Sequence, residues 1–135
     1  MKFEANWKFK SLDSLEKDKW GSPEYDSYLV KTVHQLRSVP LNEYQIEDLR
    51  IMISQNIGLK FLIPLALEQL EKNLFAEGDF YEGDLLQATL NADSDFWQLN
   101  PQIWAQLNNM ISKRLGELDT EKINYAEFQN LNLGT

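Results

Sequence analysis

Seven apolar residues, Leu59, Leu62, Ile63, Ala66, Leu67, Leu70 and Leu74, recur at intervals of three and four. That spacing lays them along one stripe of an α-helix, and a stripe so wide must be buried against other elements. The competing period is missing: no run of alternating β-branched residues lies between hairpin turns. The pattern therefore predicts an all-α fold built around this helix. Pro64 sits near its beginning, where the first turn tolerates a proline; deeper inside it would kink the helix.

Shorter helices follow from the same reading. Ser11 can cap a helix, with Ser14 or Asp13 as alternatives, that ends by Gly21 with Pro23 beyond. Tyr25, Leu29, Val33 and Leu36 share a face before Pro40, and Asn42 is placed to cap a segment carrying Ile46, Leu49 and Ile53. Asp84 can cap a short helix through Leu85, Leu86 and Leu90. Asn100-Pro101 opens another, with Trp104, Leu107, Ile111 and Leu115 on one face and Gly116 in the position of a C-terminal glycine. Tyr125, Phe128 and Leu131 suggest a final short helix or a packed tail. The expected architecture is a single compact domain over 1–135, an irregular bundle of five to seven helices. Residues 1–10 form an N-terminal arm and residues 120–135 a C-terminal tail.

Composition narrows the class. At 135 residues, 43% hydrophobic and 25% charged, the chain is long enough for one core and too apolar for global disorder. It has no cysteine, which excludes disulfides and thiolate metal sites and fits a reducing compartment. The start, MKFEAN, lacks the apolar segment of a signal peptide. The longest apolar run, 61–67, is far short of the ~20 residues a membrane span needs. The cytoplasm is the expected location.

Charge is unevenly placed. The net charge is -8, and between Lys72 and Lys113 there is no basic residue at all, while Glu77, Asp79, Glu82, Asp84, Asp93 and Asp95 fall there. A patch of this kind attracts cations or basic surfaces over about a Debye length, roughly 8 Å in physiological salt. It argues against nucleic acid or an anionic membrane as partner, because there is no basic stripe to engage phosphates.

Catalytic and metal chemistry find little support. His34 is the only histidine, which excludes a two-histidine metal motif. No serine sits in a nucleophile elbow, and no glycine-rich phosphate loop is present. The EGDFYEGD segment at 77–84 resembles a calcium loop only in composition. Phe80 and Tyr81 break the alternation of oxygen ligands, and no glutamate stands at the twelfth place. A glycosidase-like carboxylate pair would need a cleft that a small helical domain does not obviously offer. The expectation is a non-enzyme without cofactor or metal. Caps explain part of the acid, at Asp84 and Asp95, but not the loss of every basic residue over forty positions. Nor do caps explain Phe80, Tyr81, Phe96 and Trp97 among the acids. Rings give buried anchors and acids give steering, so the loop reads as a protein-binding face.

Several ordered blocks carry a family resemblance. SLDSLEKDKWG at 11–21, LRSVPLNE at 36–43, EDLRIMISQNIGL at 47–59, LIPLALE at 62–68, EGDFYEGDLL at 77–86 and DSDFW at 93–97 are similar to one family of bacterial contact-dependent growth inhibition (CDI) immunity proteins. The resemblance covers about residues 11–97. It implies a cytoplasmic immunity protein that binds and blocks the C-terminal toxin domain of a surface effector delivered by sibling cells. It also implies stoichiometric occlusion in place of catalysis, against toxins that are often nucleases. On this reading the toxin-binding residues are Glu77, Asp79, Tyr81, Glu82, Asp84 and Asp95, facing a basic toxin surface. The rival location is less patterned surface such as Glu43, Glu47 or the tail. The alternative function is an acidic protein-binding adaptor, or a nucleic-acid-mimic inhibitor of another basic protein.

Overall fold

The apolar stripe from Leu59 to Leu70 becomes the longest helix of the computed structural model, which describes residues 3–24 and 27–134; Leu74 is buried just past the end of that helix. Among these residues lie nine α-helices and two 3₁₀ turns, Trp7–Phe9 and Leu41–Glu43, with no strand. The helices are α1 (Leu12–Glu16), α2 (Tyr28–Arg37), α3 (Ile46–Ser54), α4 (Leu59–Lys72), α5 (Asp84–Leu90), α6 (Ser94–Leu99), α7 (Pro101–Ser112), α8 (Leu115–Thr120) and α9 (Ala126–Asn130). The count exceeds the expected five to seven because α6 and α8 are helices of six residues each, too short to show a period. Tyr25, read as part of the α2 stripe, lies outside the described residues; Val33 and Leu36 of that stripe are buried, whereas Leu29 is exposed.

One core runs from Leu12 to Phe128. Within it α4 buries Phe61, Leu62, Ile63, Ala66, Leu67 and Leu70, six of the residues on its inner side. Pro64 is the sixth residue of α4, beyond the first turn, and the helix continues through it. α3 packs most closely on α5 and on α4. Glu47 and Arg50 of α3 approach the start of α5, and Asn56 just past α3 approaches its end. The two helices therefore lie side by side and parallel, with α4 running back between them in sequence.

Helix ends differ from the sequence reading for one recurring reason. α1, α3 and α8 each stop at a residue in the left-handed region: Lys17 (φ 54), Asn56 (φ 57) and Lys122 (φ 59). In each case the next residue's amide folds back onto a helix carbonyl: Asp18 to Asp13 at 3.1 Å, Ile57 to Met52 at 3.0 Å and Ile123 to Leu118 at 2.9 Å. This is the closing pattern that glycine usually supplies. Two lysines and an asparagine stand in its place, so a search for glycine puts the ends too late. α1 stops at Glu16, well before Gly21, and α7 stops at Ser112, with Gly116 inside α8.

N-terminal caps split the same way. Ser11 caps α1 as expected, accepting from the Ser14 amide at 3.2 Å. Asn42 does not cap α3; it lies in a 3₁₀ turn, and the Asp48 carboxylate accepts from the Gln45 amide at 2.8 Å. Asn100 precedes Pro101 of α7 as read, yet its side-chain amide donates to the Phe96 carbonyl.

The first and last segments of the described residues are packed. Phe3 and Trp7 form an aromatic cluster with Phe61 of α4, ring centroids 4.6 Å apart for Phe3–Trp7 and 4.9 Å for Phe3–Phe61. At the other end, Phe128 stacks on Trp104 and meets Trp97 edge-on, while the Trp104 indole donates to the Phe128 carbonyl at 2.8 Å. No helix among the described residues is long and apolar enough to cross a membrane.

Candidate functional site

The turn between α4 and α5 gathers most of the acidic residues singled out from sequence. Gly83, at φ 90, redirects the chain into α5, and its missing side chain leaves room for Ile123 and Phe75. Glu77, Asp79 and Glu82 are exposed, and among the described residues none of them forms an ion pair. Tyr81 is 47% exposed and Phe80 68% exposed, so two rings stand among these acids at the surface.

Asp84 is different. It is 3% exposed and does not cap α5 with its side chain. Its carboxylate points back into the turn and accepts the amides of Gly78 at 2.6 Å, Phe80 at 3.0 Å and Tyr81 at 3.4 Å. The remaining amide of this run, Asp79, donates to Glu47 of α3 at 2.8 Å. Four successive backbone N–H groups are therefore held by two carboxylates from outside the tip. A buried carboxylate satisfied by several amides is a stable arrangement, whereas one left without partners would carry a large desolvation cost.

Arg50 completes this bracket. Its guanidinium forks onto Glu47 at 2.7 and 2.6 Å, lies 3.9 Å from Asp84, and sits 4.4 Å from the centre of the Phe80 ring. The Arg50 hydrogen bonds hold the Glu47 carboxyl below the usual carboxylate range, and Glu47 in turn raises Arg50. The stretch without basic residues in sequence is thus not without one in space, because α3 inserts a cation. Glu47, set aside from sequence as rival surface, belongs to the same site.

The other residues separate. Asp95 is exposed in the first turn of α6, whose cap is Asp93 and not Asp95. Asp93 is tied to Asn56, at the far end of α3 from Glu47. α3 is nine residues, about 13 Å, long, which places Asp95 roughly one helix length from the 77–84 turn. The four aromatic residues also divide: Trp97 is fully buried and Phe96 packs against the core, leaving Phe80 and Tyr81 on the surface. Beside Glu82, a groove of about 390 Å³ is lined by Phe75, Glu117 and Glu121, so α8 extends the acidic face. Sequence reasoning missed this extension because Lys113 and Arg114 interrupt the acidic run. In the fold Arg114 pairs with Glu117 and covers Phe75.

Two larger grooves, each about 570 Å³, lie elsewhere: one between Trp7, α4 and α7, the other among Leu90, Ile123 and Tyr125. Among the described residues no three His, Cys, Asp or Glu side chains converge as a metal set would. The arrangement at 77–84 can present two rings and three unpaired carboxylates on a fixed backbone, which is the chemistry of a binding face.

Comparison with known proteins agrees in kind. No curated protein and no solved structure matches the chain. Residues 14–107 match the family described as CDI immunity proteins, a span that includes α2 to α6 and the whole 77–84 turn. That match covers well over half of the molecule, and the chain belongs to the CDI immunity protein family.

Proposed function

We propose that this protein binds the C-terminal toxin domain of its cognate CDI effector, a basic nuclease, in the bacterial cytoplasm and neutralises it by stoichiometric occlusion. The observation that carries this reading is the turn at 77–84, inside the family match, where Glu77, Asp79 and Glu82 are exposed and unpaired beside Tyr81. Unpaired carboxylates suit the lysines and arginines with which a nuclease holds phosphates. They raise the association rate through steering, an effect that salt screens. Asp95, on α6 roughly one helix length away, is the outlying member of the proposed set. Asp84 acts from within, by shaping the turn.

The toxin domain encoded beside this gene is the direct test. Mixed at micromolar concentration, the two proteins form a one-to-one complex and toxin activity falls to background; absence of a complex overturns the reading. Reversing Asp79 and Glu82 to lysine lowers the association rate about tenfold at low salt. The melting temperature stays close to wild type, since both side chains are exposed. An unchanged association rate places the interface on another face.

A further inference from the structure

Phe80 is the least expected residue of the site. Phe80 is 68% exposed, and its ring lies over the Arg50 guanidinium, 4.4 Å from the ring centre. An exposed phenylalanine at the tip of a loose loop would collapse onto neighbouring apolar surface. Here the amides of residues 78–81 are all taken by Asp84 and Glu47, so the backbone that carries the ring is held at the surface, with the ring itself laid over Arg50. Gly78 tightens the bracket further. A Cβ at that position would come within 2.5 Å of a Glu47 carboxylate oxygen, so any larger residue at 78 would have to displace the carboxylate that holds the Asp79 amide.

Resting on the toxin-binding reading, we propose that Phe80 is the apolar anchor of the interface, and that Glu47 and Arg50 are positioning residues that hold its loop in the bound conformation before the toxin arrives. The complementary feature on the toxin is an apolar cleft rimmed by lysine or arginine, which takes the ring while the rim meets Asp79 and Glu82. A loop that is already ordered loses little conformational freedom on binding, and that saving appears in the dissociation rate. Exposed acids act on the approach; the bracketed ring acts on the residence time. Neither Glu47 nor Arg50 needs to touch the toxin for this to hold.

The test combines amide exchange on the free, full-length chain with association and dissociation rates against the cognate toxin domain. Phe80→Ala speeds dissociation at least about tenfold, as an anchor truncation does, with association rate and melting temperature unchanged. Glu47→Ala speeds amide exchange at residues 78–81 about tenfold while core amides keep their protection, and it speeds dissociation in parallel. Glu47→Gln retains an oxygen for the Asp79 amide and recovers part of both effects. Unchanged dissociation in Phe80→Ala overturns the anchor. Unchanged dissociation in Glu47→Ala despite accelerated loop exchange overturns the positioning role. If Glu47→Ala does not fold, Glu47→Gln and Phe80→Ala decide. A wild-type chain that forms no complex overturns the toxin-binding reading itself, and the anchor with it. A tight wild-type complex indifferent to both substitutions overturns only this inference.

Discussion

Arg37 is a cation taken almost wholly out of water. It is 1% exposed, and its guanidinium donates to Asp13 at 3.0 Å, to Glu16 at 2.5 Å and to the Asp18 carbonyl at 2.8 Å, with Trp20 at 4.3 Å across its face. The groups it ties together lie 19 to 24 residues away in sequence. One side chain thus fastens α1 and the segment after it to the end of α2. Arg37→Ala leaves two carboxylates facing an emptied pocket, and it lowers unfolding free energy by about 3 kcal/mol, read from the denaturant midpoint. Arg37→Lys recovers little, because a point charge does not reproduce the fork. No local pattern announces such a cluster; SLDSLEKDKWG reads as a charged helix start, and its partner stands in LRSVPLNE. In the Glu47–Arg50–Asp84 bracket, Glu47 and Arg50 are a local pair on one helix, but their links to Asp84 and to the 77–84 turn are non-local and were hidden for the same reason. Residue types were visible in sequence, but which carboxylate is buried and which is free depends on a neighbour brought in by another helix.

Among the elements, apolar periodicity decided what could be read. The α4 stripe and the Ile46, Leu49, Ile53 face predicted helices that are present, since burial enforces a 3.6-residue repeat. Boundaries were harder, because α1, α3 and α8 end on Lys17, Asn56 and Lys122, in a conformation that side chains disfavour. That cost is recoverable. Lys122 is exposed, so Lys122→Gly keeps the same closing bonds, removes the strain and raises stability by about 0.5–1 kcal/mol. Gly58 gives the opposite outcome. It has φ +64, and an added Cβ would stand 2.7 Å from Leu12, which is fully buried. Gly58→Ala therefore lowers stability by about 2–3 kcal/mol through strain and overpacking together. Chemical denaturation of the pair checks both signs in one experiment.

For the whole molecule, the C-terminal segment is structural. It was read as a short helix or packed tail, and Phe128, 2% exposed between Trp97 and Trp104, closes one end of the core. Ending the chain before Ala126 uncovers both tryptophans. The truncated protein shows red-shifted tryptophan emission and a melting temperature more than about 10 °C lower, the equivalent of losing a buried aromatic residue. An unshifted spectrum would mean that the core closes without this segment. The all-α class, the single core and the acidic face were legible because each follows from composition and period. The split of that face into a bracket, two surface rings and a remote Asp95 was not, because it depends on how α3 lies against α5. That bracket has a practical consequence. The groups fixing the turn's backbone, Glu47 and Asp84, lie outside its tip, and they bind main-chain amides that every residue except proline possesses. Side chains at 77, 79, 81 and 82 can then be exchanged without dismantling the frame beneath them. The turn is a ready-made display position, on which varied side chains can be carried by the same folded scaffold.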